Sequence, residues 1–154
     1  MTVKTIKRMI EHQIWADQRL LDAVRKSGGG GQEALRLFRH VAIAEQVWIM
    51  RLNGENTAHL QLWADDADVD SLEALLASNA QKYTAYLASL TEEQLDADLA
   101  YANQSGVPFR TPIRDILTHV ALHGQYHRGQ INRILRETAG EPQALDYILF
   151  SREN

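Results

Sequence analysis

The sequence predicts an all-α protein: a four-helix bundle with a short extended or hairpin-like insertion before the last long helix. Three observations predict it. Apolar residues recur at three- and four-residue spacing over four long segments. Turn-forming residues separate those segments by short links and one longer crossing. The length, 154 residues, suits a single domain with one core, so residues 1–154 are read as one unit. No internal repeat is visible.

The first segment, 2–26, sets Val3, Ile6, Ile10, Leu20, Leu21 and Val24 along one stripe. Ser27-Gly28-Gly29-Gly30-Gly31 ends it, because a glycine run loses too much backbone entropy to stay helical. So short a link usually joins antiparallel neighbours. A second helix, roughly 32–53, aligns Leu37, Val41, Ala44 and Trp48, and Asn53-Gly54 supplies its stop. Residues 54–69 read as a loop. Asp70, with Glu73 three residues on, forms a capping box for a third helix over about 71–89. Thr91-Glu92-Glu93-Gln94 repeats that signature and starts a short helical turn. From Asp96 to Arg110 no helical period survives, and Gly106 and Pro108 mark an extended or hairpin-like stretch. Thr111 at the N-cap and Pro112 at the first helical position open the fourth helix. It runs through Ile113, Ile116, Leu117, Val120, Ile131 and Leu135 to Gly140, and the tail packs back through Leu145, Ile148 and Phe150.

Composition narrows the function. The net charge of −4, with no basic run longer than Lys7-Arg8, argues against nucleic acid as a partner. Cysteine is absent, which excludes disulfides, thiolate metal sites and a cysteine nucleophile. Charges interrupt the N-terminal apolar residues, so no signal peptide is read there, and no apolar stretch is long enough for a membrane span. A cytoplasmic protein with no membrane partner is expected.

The chemistry lies in the histidines. His119, His123 and His127 recur every four residues on the last helix. An i, i+4 pair chelates one ion, but His119 and His127 stand ~12 Å apart along the axis, whereas zinc–nitrogen bonds are ~2.0–2.1 Å long. The ion must take one pair and find a third ligand on another helix. His40 shares the core-facing stripe of Leu37, Val41, Ala44 and Trp48, where an imidazole needs a partner, either a carbonyl or the ion. Gly124 and Gly129 leave room beside His123 and His127, which leans the choice toward that pair. His119 is then one turn above the site, orienting a ligand or lining an entrance. Gln13 and Asp17 break the first helix's stripe; either they are buried and orient a ligating imidazole, or they sit at a helix edge in water. Glu45 is the nearest carboxylate in sequence to His40 and a weaker candidate for the same duty. Tyr126, Arg128 and Gln130 lie near the site or in surface and interhelical packing. His12 falls to one side, and His59 in the loop has no assigned role.

Three segments carry a family resemblance. HVALHGQYHRGQI at 119–131 resembles the hallmark of the DinB-like superfamily of metal-binding bundles, named for the DNA-damage-inducible protein and not for the polymerase. HQIWADQRLL at 12–21 and HVAIAEQVWIMRLNGE at 40–55 are similar to that family's first- and second-helix signatures, so the resemblance spans nearly the whole chain. It implies one divalent transition metal, nickel or zinc, on His40, His123 and His127. The first-helix signature usually carries asparagine where this chain has Gln13 and Asp17. Three neutral imidazoles leave an ion with open positions, as in catalytic sites. The resemblance then implies a metal-dependent thiol S-transferase or hydrolase, activating a low-molecular-weight thiol or water toward a small electrophilic substrate. Its alternative is a non-catalytic, stress-associated metal-binding or scaffold protein. A homodimer is implied as well, with Trp15, Trp48 or Trp63 available to an exposed stripe.

Overall fold

The computed structural model describes residues 2–28, 31–138 and 140–154. In chain order it comprises α1 (Val3–Lys26), α2 (Gly31–Leu52), α3 (Val69–Ser89), a one-turn α4 (Glu92–Leu95), β1 (Asp98–Ala102), β2 (Pro108–Pro112), α5 (Ile113–Glu137) and α6 (Tyr147–Glu153). The four long helices form the bundle, and the antiparallel β1–β2 hairpin is the insertion before the last of them. Residues 29 and 30 of the glycine link lie outside the described residues.

α1 and α2 each pack against both α3 and α5, so they face one another diagonally across the core rather than side by side. This corrects the expectation that the glycine link joins neighbours. Each has apolar residues on more than one flank, and each is wedged between the same two helices.

Several caps follow local rules. Thr2 accepts a hydrogen bond from the Thr5 amide and starts α1. Gly54, at φ +75°, ends α2; the Glu55 amide donates to the Met50 carbonyl and the Gly54 amide to that of Arg51, a Schellman motif. Thr91 and Gln94 make the reciprocal capping box of α4.

Others were decided by partners far away in sequence. α3 is capped by Asp68, whose carboxylate accepts from the Ser71 amide at 2.9 Å, and not by Asp70. Asp70 and Glu73 instead bind Arg25 at the end of α1, at 3.0 and 2.8 Å. Thr111 and Pro112 belong to β2, and Thr111 makes no cap; its hydroxyl lies 3.1 Å from that of Tyr101 across the hairpin. In the tail, Leu145 and Phe150 are buried but Ile148 is exposed. His12 Nε2 lies 2.7 Å from the Leu145 carbonyl oxygen and holds that tail against α1.

The core has two apolar halves. One is built around Leu20, Val24, Phe38, Val41, Ile131 and Leu135; the other around Ile6, Ile10, Ile49, Leu87, Leu117 and Val120. Between them each long helix contributes polar side chains: Gln13 and Asp17, Glu45, Asn79, and Arg128. Arg128 is fully buried and donates to Asp17 at 2.7 Å, the ion pair that a buried guanidinium requires. Gly124 permits this, since a Cβ there would stand 2.8 Å from Arg128 Nη1.

Candidate metal centre

α2 and α5 pack side by side and bring His40, His123 and His127 together, each offering one ring nitrogen, all within 4.8 Å of one another. The Nε2 atoms of His40 and His123 are 3.2 Å apart. Two nitrogens on one tetrahedral ion with ~2.0–2.1 Å bonds sit ~3.3 Å apart, so this pair already has ligand spacing. The donor set is all imidazole, borderline-soft nitrogen that suits zinc, nickel or copper better than magnesium or calcium.

Two of the rings are held from behind. His40 Nδ1 donates to the Leu62 carbonyl at 3.0 Å, and His127 Nδ1 donates to Gln130 Oε1 at 2.6 Å. Each bond consumes one ring nitrogen and leaves Nε2 as the free donor atom. Trp63 stacks on His40 with ring centroids 3.7 Å apart and planes within 5°. Arg36 lies over the same indole, 4.6 Å from its centroid. The loop before α3 thus supplies both an orienting carbonyl and a cover.

Protonation favours binding. Burial, reinforced by the neighbouring imidazoles, lowers His123 to about 4, and burial also lowers His40. Both rings are neutral near pH 7 and offer lone pairs without first losing a proton.

The remaining sequence candidates fall in several places. His119 is half-exposed one turn above, its ring 5.5 Å from His123 and 5.7 Å from Trp48. Asp17 is bound to Arg128, the residue after His127. Gln13 is buried, with no partner for either end of its amide among the described residues. Glu45 lies in the same polar layer beside Asn79. The room attributed to the glycines is used otherwise: the Arg128 guanidinium lies beside Gly124, and Gly129 is exposed. Trp15 and Trp48 pack against Phe150 and against Tyr101, whereas Trp63 is 43% exposed although its ring stacks on His40 and carries Arg36.

Leu62 and Trp63 were missed in the sequence, since only the returning loop brings them to His40. Gln130 had a signal: it lies three residues after His127, within helical reach.

A cleft of about 360 Å³ opens beside the cluster, bordered by His40, His119 and His123, by Trp48 and Arg51 of α2, and by the hairpin turn. Fold and site together define a class, helical bundles with a three-histidine cluster shared by two adjacent helices. The chain belongs to the DinB family, whose profile matches residues 1–154. It is similar to Protein DinB of Bacillus subtilis (strain 168), 24% identical over 159 residues, an alignment covering 93% of this chain and 91% of that protein.

Proposed function

We propose that this protein holds one divalent transition ion, nickel or zinc, on His40, His123 and His127, and acts as a metal-dependent enzyme on a small electrophilic substrate. The observation that carries this reading is the cluster of three inward imidazoles beside an open cleft. Three protein ligands leave room for another, which is the pattern of catalytic rather than structural sites. When bound, the ion would supply Lewis acidity, lowering the pKa of a thiol or water in the open position.

The chain's own residues do the positioning. Leu62 and Gln130 fix the faces of His40 and His127. Trp63 shields His40 from water, and His119 borders the approach. Asp17 acts at one remove, pinning Arg128 and with it the turn of α5 that carries His127. Gln13 belongs to the same buried layer as Asp17.

One observation favours a second, non-catalytic reading. The ligands come from two helices, so an ion would tie α2 to α5, and binding energy gained only in the folded state is folding energy.

Elemental analysis of the purified protein beside His40→Ala and His127→Ala tests the site. One ion per chain is expected in the parent and a loss of most of it in each variant; undiminished metal in both removes the proposal. Cobalt-loaded protein separates the two readings. A small thiol that shifts the cobalt spectrum supports an open position, whereas an unchanged spectrum with a large drop in stability on stripping supports the staple.

A further inference from the structure

Arg51 is buried, 8% exposed, and among the described residues no carboxylate pairs with it. The contrast with Arg128, also buried but bound to Asp17, is direct. A guanidinium removed from water without a counter-charge is costly, and burial does lower the Arg51 pKa. Its partners are neutral. One terminal nitrogen donates to Gln104 Oε1 at 3.0 Å, and the group lies over Trp48 and Tyr101, 4.6 and 5.1 Å from their centroids. Nε has no hydrogen-bond acceptor among the described residues.

Arg51 borders the same 360 Å³ cleft as His40 and His123, and among the described residues no Asp or Glu lines that cleft. Its other walls are apolar on the α2 side, through Ala44, Val47 and Trp48, and polar at the hairpin turn. Arg51 also borders a second cleft, of about 660 Å³, but Glu55 lines that one and opposes an anion there. The aromatic contacts and Gln104 hold the planar fork in one orientation before any ligand arrives, which is how carboxylates are recognised.

We infer that the cleft beside the three histidines takes a small monocarboxylate, with Arg51 as the residue that binds its carboxylate group and the histidine cluster at the other end of the molecule. This names a substrate class for the site and rests on the enzymatic reading given above. A single buried cation matches one negative charge, and the 360 Å³ volume suits a compact organic acid.

Benzoate, benzamide and inorganic phosphate serve as probes, titrated into the full chain with and without zinc. Calorimetry reads binding, and tryptophan fluorescence reports on Trp48 beside Arg51. Benzoate is expected to bind at least about tenfold more tightly than benzamide, the scale of a charge-assisted hydrogen bond, and more tightly than phosphate. Arg51→Gln is expected to abolish that preference and Arg51→Lys to retain part of it.

Equal affinity for benzoate and benzamide, or no binding of either, overturns the proposal without recourse to any variant. Benzoate binding that needs zinc and survives Arg51→Gln also overturns it, since the carboxylate is then on the ion. Tighter binding of phosphate than of benzoate overturns the carboxylate assignment. Failure of the metal site is read separately, as missing metal in the elemental analysis, and the zinc-free titration still tests Arg51.

Discussion

At the scale of single residues, the second ring nitrogen of His40 and of His127 matters as much as the first. Gln130 accepts from His127 at 2.6 Å and presets the ring. Gln130→Ala should lower metal affinity by about 10- to 100-fold, the usual effect of losing such an orienting bond, while the metal-free protein keeps its stability. Competition with a chromophoric chelator measures the first quantity and thermal melting the second. Asp17 poses a different problem, because it neutralises a fully buried guanidinium. Asp17→Asn should cost about 3–5 kcal/mol, the effect of breaking a buried pair from one side. Gly124→Ala should cost roughly 1–3 kcal/mol through crowding of that same guanidinium. Urea denaturation of both variants checks the order; a smaller loss for Asp17→Asn than for Gly124→Ala would show that room for the guanidinium matters more to stability than its counter-charge.

At the scale of elements, Gln104 ties the hairpin to the loop that covers the site, while Tyr101 packs against Trp48 and Arg51 of α2. Gln104 Nε2 donates to the carbonyls of Thr57 and Leu60 at 2.9 and 2.8 Å, while its Oε1 accepts from Arg51. The turn is held in shape by Asn103, whose Oδ1 accepts from the Ser105 and Val107 amides, and by Gly106 at φ +80°. Gln104→Ala therefore leaves the hairpin intact but releases the 53–68 loop, which carries Leu62 and Trp63. Limited proteolysis should cut that loop faster in the variant, with global stability lowered by no more than about 1–2 kcal/mol. Unchanged cleavage would mean that the ion pairs Arg36–Asp65 and Arg39–Asp66 hold the loop without it.

At the scale of the whole molecule, a polar layer divides the core and carries its own pH dependence. Burial first, then the charge and hydrogen bond of Asp17, hold the Glu45 carboxyl well above its ordinary value of 4.5, against the opposing charge of Arg128 and the Asn79 amide. The folded chain keeps a proton that the unfolded chain releases above that value. Its contribution to stability is thus complete below pH 4.5 and is lost as pH rises through the folded pKa, by up to ~1.4 kcal/mol per pH unit. His12, lowered chiefly by burial, acts in the opposite sense, since the unfolded chain takes up its proton first as pH falls below 6.5. Glu45→Gln isolates the carboxyl. The stability of Glu45→Gln relative to the parent should grow between about pH 5 and pH 8, and a difference independent of pH in denaturation midpoints would refute a protonated Glu45.

The sequence by itself determined whatever depends on residues within one or two helical turns. Apolar periodicity set the four long helices; Asn53-Gly54 and Thr91-Gln94 set the end of α2 and the start of α4. The four-residue spacing on α5 showed that an ion must choose one histidine pair and look elsewhere for its third ligand. Tertiary structure decided what depends on distant partners. Arg25 draws Asp70 and Glu73 away from capping, Tyr101 holds Thr111 in a strand, and α1 and α2 lie diagonal because both are wedged between α3 and α5. The loop brings the Leu62 carbonyl and the Trp63 ring to His40, and Asp17 has Arg128, 111 residues on, for its partner. Burial lowered the pKa of His40 and His123 and raised that of Glu45, and left Arg51 without a counter-ion among the described residues beside the cleft. Spacing along a chain specifies a helix face, but the dielectric and the neighbours that face will meet come only from packing.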